Sequence, residues 1–167
     1  MESYLLVVGD REALGWILTE RRTAFPSAGR SEVAALRPGD ELFLYTTRGC
    51  FKNPTRDRGR IIGIATAAGP VTPLDEPARF GDRTFPVGCR LDLGDVAPFG
   101  RGLELAPLVP RLSAFDGAGD AWSIRLRRPL VHLPDADADR IRARLDDVTG
   151  PGNLGEYTRW YAASSTR

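Results

Sequence analysis

From residue 41 to residue 112 the chain offers strand signals and loops, with no segment long and periodic enough to serve as a crossover helix. Parallel strands need a crossover of a dozen or more residues, usually helical, whereas antiparallel strands need only a turn. Most strands here must therefore pair antiparallel. The helical signals fall at the two ends of the chain. The fold class that follows is mixed α/β (α+β): a small, curved, mostly antiparallel sheet or barrel flanked by helices.

The first apolar run, Tyr4–Val8, ends in β-branched residues and predicts a buried strand. Gly9 breaks it, and Asp10 is placed to cap a helix carrying Leu14, Ile17 and Leu18 at helical spacing beside Trp16. Residues 23–29 read as a loop with one aromatic, Phe25, and Ser31 as the cap of a second short helix ended by Pro38-Gly39. Leu42–Thr46 and Ile61–Ala67 predict strands. The prolines of residues 70–81 predict a loop, and Thr84–Leu93 alternates as a half-buried strand. Residues 103–112, with Pro107 and Pro110, suit at best an edge or irregular segment. Trp122–Leu126 and Leu130–Leu133 predict two more strands. After Pro134, the spacing of Ala138, Ile141, Leu145 and Val148 predicts a helix with an acidic first turn and a basic middle, as the helix dipole prefers. The remainder is a Gly-rich tail with three aromatics.

At 167 residues one domain is the default. Cys50 and Cys89 are too few for a disulfide framework or a zinc site. The start lacks the basic region and long apolar stretch of a secretory leader, and no run is long enough to span a membrane, so a cytoplasmic protein is expected. Of the 23 Lys and Arg residues only Lys52 is lysine. The abundance of Ala, Gly, Pro and Asp points to codon bias for that count, so the positions of the arginines are more informative than their number.

Three motifs suggest chemistry and fail on context. Gly150-Pro-Gly152-Asn-Leu-Gly155 spells a dinucleotide-binding fingerprint but follows a helix rather than a strand. Asp135, Asp137 and Asp139 begin like a calcium loop, but Arg140 stands where that loop needs Gly and Asp146 where it needs Glu. His132 is the sole histidine and sits on a predicted strand, where a hydrogen-bonded structural role suits it. No metal site, cofactor or catalytic residue is expected, and the chain reads as a binding protein rather than an enzyme.

The strongest chemical signal lies between the strands ending at Thr46 and beginning at Ile61. Arg48, Lys52, Arg56, Arg58 and Arg60 are five cations among thirteen residues, opposed only by Asp57. Clustered cations displace counterions from a phosphate backbone, and Tyr45 and Phe51 nearby could stack on bases. Nucleic acid, DNA or RNA, is the expected partner; a solvated surface loop is the alternative.

The order of segments resembles an EVE domain, in the PUA-like group that also contains the YTH domains. The resemblance covers residues 3–147. It rests on Tyr4–Val8 with the capped helix after it, Leu36-Arg-Pro-Gly-Asp40 with the strand ending at Tyr45, and Gly63-Ile-Ala. It continues through Phe85-Pro-Val-Gly-Cys-Arg-Leu, Leu108-Val-Pro-Arg-Leu-Ser-Ala-Phe115 and Ala-Trp122-Ser-Ile-Arg-Leu-Arg-Arg-Pro-Leu130. Where such domains often carry a Trp-Gly pair, this chain has Phe25-Pro26. The resemblance implies a PUA-like curved β-barrel over residues 1–149, with 150–167 as a C-terminal tail. It implies a non-enzymatic reader that flips a modified base, such as a modified cytosine in DNA, into an aromatic pocket. Gly9, Asp10, Phe25, Tyr45, Thr46, Ser113, Trp122 and Ser123 would form that pocket, with the five loop cations gripping phosphates. An RNA-binding module and a small-molecule or nucleotide sensor are the alternatives, and a monomer is favoured.

Overall fold

The structure is a computed structural model that describes residues 1–51 and 57–165, with side chains as far as residue 163. Eight strands form one curled sheet: β1 (Ser3–Val8), β2 (Arg22–Phe25), β3 (Glu41–Thr46), β4 (Arg60–Ala67), β5 (Thr72–Phe80), β6 (Arg83–Val96), β7 (Leu103–Glu104) and β8 (Leu130–Leu133). The order is β2-β6-β4-β3-β1-β8, with β5 paired to β6 and β7 to β4. Among the described residues only β1 and β3 run parallel. They are also the only neighbours joined by a helical crossover, through α1 (Arg11–Glu20) and α2 (Ser31–Ala35). The mostly antiparallel sheet expected from the lack of mid-chain helices is the sheet observed.

Both faces of the centre are covered. Tyr4, Leu6, Val8, Leu42 and Leu44 belong to one core cluster with Leu14, Leu18 and Phe25. Their alternate neighbours Leu5, Phe43 and Tyr45 belong to a second, with Leu105, Leu112, Phe115, Ile141 and Leu145. A strand buried on both faces has no polar side, which is why β1 and β3 read as continuous apolar runs.

Asp10 caps α1 as expected, its Oδ1 accepting from the N–H groups of Glu12 at 2.8 Å and Ala13 at 3.1 Å. Arg21 closes the helix in the left-handed region (φ 54°), donating its N–H to the Ile17 carbonyl at 2.9 Å. α2 starts at Ser31, but Arg30 occupies the cap position and no side chain caps it. The helix α3 (Asp135–Leu145) buries Ala138, Ile141 and Leu145, as the apolar stripe predicted.

Three further expectations need correction, and the tail, left without an element above, gains one. The loop expected at residues 23–29 begins as β2, which pairs with β6 and buries Thr23 and Phe25 in alternation. The proline-marked loop at 70–81 is mostly β5, an exposed outer strand with a register shift between Pro73 and Ala78; a strand without a partner on one side tolerates missing N–H donors. The strand expected at Trp122–Leu126 is a 3₁₀ segment, Gly119–Arg127. The C-terminal tail contains α4 (Leu154–Ser165).

α4 packs on α1 at van der Waals limits. A Cβ on Gly15 would lie 2.2 Å from the Tyr161 ring, so only glycine admits that approach. Tyr157 is fully buried and donates its hydroxyl to the Ala97 carbonyl at 3.1 Å. Phe99 meets Phe51, Tyr157 and Trp160 at ring separations of 5.3–5.5 Å. Among the described residues no helix is long and apolar enough to cross a membrane.

Candidate functional site

Two clefts open side by side and share Thr47 and Leu126 as a common wall. Both volumes, about 740 Å³ and about 420 Å³, fall within the range of small-ligand sites.

The larger, cleft 1, lies between the turn after β3 and the 3₁₀ segment. Tyr45, Arg48, Asp57, Arg58, Glu104, Asp120, Trp122 and Ser123 line it. Tyr45 is 3% exposed and forms part of its floor. Burial raises the Tyr45 phenol pKa while the nearby Arg48 pulls it back, so the hydroxyl stays protonated and can donate. Gly59 sits where a Cβ would come within 1.9 Å of that hydroxyl, which makes glycine necessary for the ring's position. Trp122 is held edge-on by Phe115 at 5.9 Å and 84°. Its segment is pinned by Arg125, whose guanidinium donates to the carbonyls of Ala114 at 2.6 Å and Asp116 at 2.8 Å. The Glu104 Oε1 lies 3.7 Å from Arg58 and 3.8 Å from Arg60. Such exposed pairs contribute little and break readily.

The smaller, cleft 2, is lined by the C-terminal end of β1, the start of α1, β2 and the β5–β6 turn, together with Arg30, Thr47 and the run from Leu126 to Pro129 at the end of the 3₁₀ segment. One wall is an aromatic row. Trp16 meets Phe80 at 5.7 Å, and Phe80 meets Phe85 at 5.4 Å. Arg22 lies 4.9 Å over Trp16 and Arg83 5.1 Å over Phe85, so a cation closes each end. Each aromatic contact adds about 0.5–1.5 kcal/mol beyond its buried area, which stiffens the wall. Arg30, Arg83, Arg127 and Arg128 face a single carboxylate, Asp10. Arg128 is engaged by Glu32 at 2.9 Å. Arg30 and Arg127 have no carboxylate partner among the described residues. The cap uses only Oδ1 of Asp10.

The single pocket expected from the sequence is thus divided. Tyr45, Trp122 and Ser123 line cleft 1, with Arg48 and Arg58. Gly9 and Asp10 line cleft 2. Phe25 lines neither: the strand period of β2 turns it into the core at 0% exposure. Thr46 is buried at the end of β3, where its hydroxyl donates to the Arg60 carbonyl at 3.3 Å. Ser113 faces α3, its N–H and hydroxyl donating to buried Asp137 at 2.9 and 3.2 Å. Arg60 begins β4 beside Glu104, outside both clefts. Lys52 and Arg56 lie outside the described residues. Sequence reasoning missed Arg30, Phe80, Arg83, Phe85 and Arg127. The one available signal was that Phe80 and Phe85 flank a Gly81-Asp82 turn, which brings their rings together diagonally across the β5–β6 pair.

The two buried thiols carry no chemistry here. Burial pushes Cys50 from 9.0 to about 12 and Cys89 from 9.0 to about 11. His132 stands on the outer strand β8, exposed, with Nε2 at 2.7 Å from Glu2.

No family model matches the sequence, and no curated protein matches it as a relative. Solved structures do match its fold. Human THYN1 in complex with 5-methylcytosine-containing DNA is 12% identical, covering 86% of this chain and 97% of its own at a TM-score of 0.54. The Mmi1 YTH domain in complex with RNA is 10% identical over 87% of this chain and 77% of its own, with a TM-score of 0.59. A protein from Pseudomonas syringae is 15% identical over 85% and 98%, with a TM-score of 0.57. Likeness at this level speaks for architecture: the protein shares its fold with the THYN1 DUF55 domain and the Mmi1 YTH domain, the architecture that the order of segments in the sequence resembles.

Proposed function

We propose that the protein binds nucleic acid and holds one extruded base, a modified cytosine, in cleft 2. The observation that carries this reading is the make-up of that cleft: an aromatic row, four arginines and one carboxylate among its lining residues. An unstacked base needs a flat apolar surface, its flanking phosphates need cations, and its edge needs a directed polar partner. Cytosine presents an amino donor, and an aspartate accepts from it. Asp10, with an oxygen left over from capping, fits that role. A methyl group on the ring would rest on Val7, Val8 and Leu126. Cleft 1 and the basic turn beside it extend the face along the strand. The fold is shared with a protein crystallised on 5-methylcytosine DNA and a domain crystallised on RNA, which supports binding rather than turnover as the activity.

The test is fluorescence anisotropy with single-stranded and duplex oligonucleotides bearing cytosine, 5-methylcytosine or 5-hydroxymethylcytosine. Binding at low salt that favours a modified base and weakens in Phe80→Ala is expected. Absence of binding at low salt, or binding untouched when Arg30, Arg83 and Arg127 become alanine, would overturn the reading. A parallel RNA series reports whether 2′-hydroxyls add affinity.

A further inference from the structure

We infer that cleft 1 is a second base site, selective for guanine, which takes the nucleotide adjoining the base in cleft 2. This rests on the nucleic-acid reading above and adds a sequence preference to it.

The two clefts meet at Thr47 and Leu126, so a strand that places a base in one passes the mouth of the other. Their charge differs. Cleft 1 sets Asp57, Glu104 and Asp120 against Arg48 and Arg58. Among the described lining residues carboxylates outnumber arginines, so the cleft itself, unlike the basic turn beside it, is poorly suited to hold phosphate. What remains attractive is an uncharged ring with N–H donors. Trp122 offers the stacking surface, and it is pre-set by Phe115 and by the Arg125 bonds to two carbonyls.

The bases differ in what they show a carboxylate. Guanine carries N1–H and the N2 amino group side by side, two parallel donors that match the two oxygens of one carboxylate. Cytosine and adenine place a ring-nitrogen acceptor next to their amino group, so they offer a carboxylate one donor where guanine offers two. Thymine and uracil flank one N–H with two carbonyls. Guanine also carries O6 and N7, the acceptors an arginine prefers. Cleft 1 therefore suits guanine in both signs of charge. Glu104 is the leading acceptor, because its present arginine contacts are long and exposed, so a ligand can replace them. Asp120 comes from the Trp122 segment itself.

The experiment uses single-stranded oligonucleotides with 5-methylcytosine fixed and each neighbouring position varied in turn among guanine, inosine, adenine and an abasic site. Inosine lacks only the N2 amino group. One neighbouring position should prefer guanine over inosine by about ten-fold, the scale of a bidentate base contact. Glu104→Gln or Asp120→Asn should abolish that preference, while Trp122→Ala should make guanine and the abasic site bind alike. Equal affinity for guanine and inosine at both positions, with 5-methylcytosine binding intact, overturns this inference alone. Failure of every oligonucleotide to bind overturns the nucleic-acid reading and this one with it. Circular dichroism of each variant shows whether a lost preference reflects lost folding.

Discussion

The two clefts lie on one face and share a wall, yet they are built in opposite ways. Cleft 2 takes its aromatic row from paired strands and a capped helix, with an arginine over each end, although its Leu126 and Arg127 come from the 3₁₀ segment that also serves cleft 1. Cleft 1 takes its residues from turns and a 3₁₀ segment, held by side chains reaching across to backbone carbonyls. Hydrogen-bonded strands make a surface whose shape survives single substitutions. A segment pinned by a few polar bonds keeps its shape only while those bonds last. On the nucleic-acid reading proposed above, the arginine-lined cleft would supply most of the affinity and the carboxylate-lined one a further sequence preference, since phosphate contacts position a strand and base contacts specify it.

Breaking the pins of cleft 1 should have the largest effect. Asp137 is 2% exposed and accepts from the Ser113 N–H, the Ser113 hydroxyl and the Ala114 N–H. Asp137→Ala strands these donors at the head of the segments that carry Trp122. The expected loss is about 3 kcal/mol of stability, read by urea denaturation. Guanine preference should suffer more than overall affinity. A change under about 0.5 kcal/mol would mean that the 3₁₀ region is held by packing alone.

Cleft 2 is probed next by Phe80→Ala. Phe80 is half-buried and sits between Trp16 and Phe85. Losing one stacking surface should cost about 1–3 kcal/mol of binding. The melting temperature should shift little, because the residue stands on the outer strand β5. A variant that unfolds without a specific binding defect would place Phe80 in the scaffold instead.

Salt dependence sharpens the assignment of affinity. Removing one phosphate-binding cation lowers the slope of log affinity against log salt by about one unit. Replacing Arg30, Arg83 and Arg127 together should lower it by about two to three. Arg48→Ala should lower it by about one at most. The reverse ranking would move the phosphate grip to cleft 1.

The smallest effect concerns the turn beneath the shared wall, where Cys50 donates its N–H to the Thr47 carbonyl at 3.1 Å. Its thiol is pushed from 9.0 to about 12 by burial, so the fold holds the proton that the unfolded chain releases. Stability from this group is complete below pH 9 and falls as pH rises from 9 toward 12. At pH 8 Cys50 should resist iodoacetamide in the folded protein, and reaction within minutes would show that the turn opens.

Much of the scaffold could be read from the sequence because burial on both faces leaves unbroken apolar runs, as in β1 and β3. An apolar stripe likewise revealed α1, with its Asp10 cap, and α3, which follows Pro134. β2 escaped because four residues give too little alternation to count, and β5 because its prolines look like loop punctuation until an outer position makes them harmless. The 3₁₀ segment carries Trp122, Ile124 and Leu126 at every second position, the signature of a strand, while Gly117 and Gly119 upstream hold positive φ and start a tighter coil. In α4 the Leu154, Tyr157 and Tyr161 spacing was present, hidden by the Gly-Pro-Gly before it. The site was less legible for a different reason. Arg30, Arg83 and Arg127 are far apart in the chain and converge only through the pairing of β2 with β6 and the return of the chain to β8.

That return has a consequence for how the protein is made. β1 lies between β3 and β8, and its Ser3–Leu6 stretch bonds to Leu130–Leu133. β1 thus waits for β8, far later in the chain, and Gly15 waits longer still for Tyr161. On the ribosome the N-terminal half must remain unfinished, its apolar centre strand open along one edge, until most of the chain has emerged. Pairings so distant along the chain make for slow folding, so newly made copies should depend on chaperones more than their size suggests.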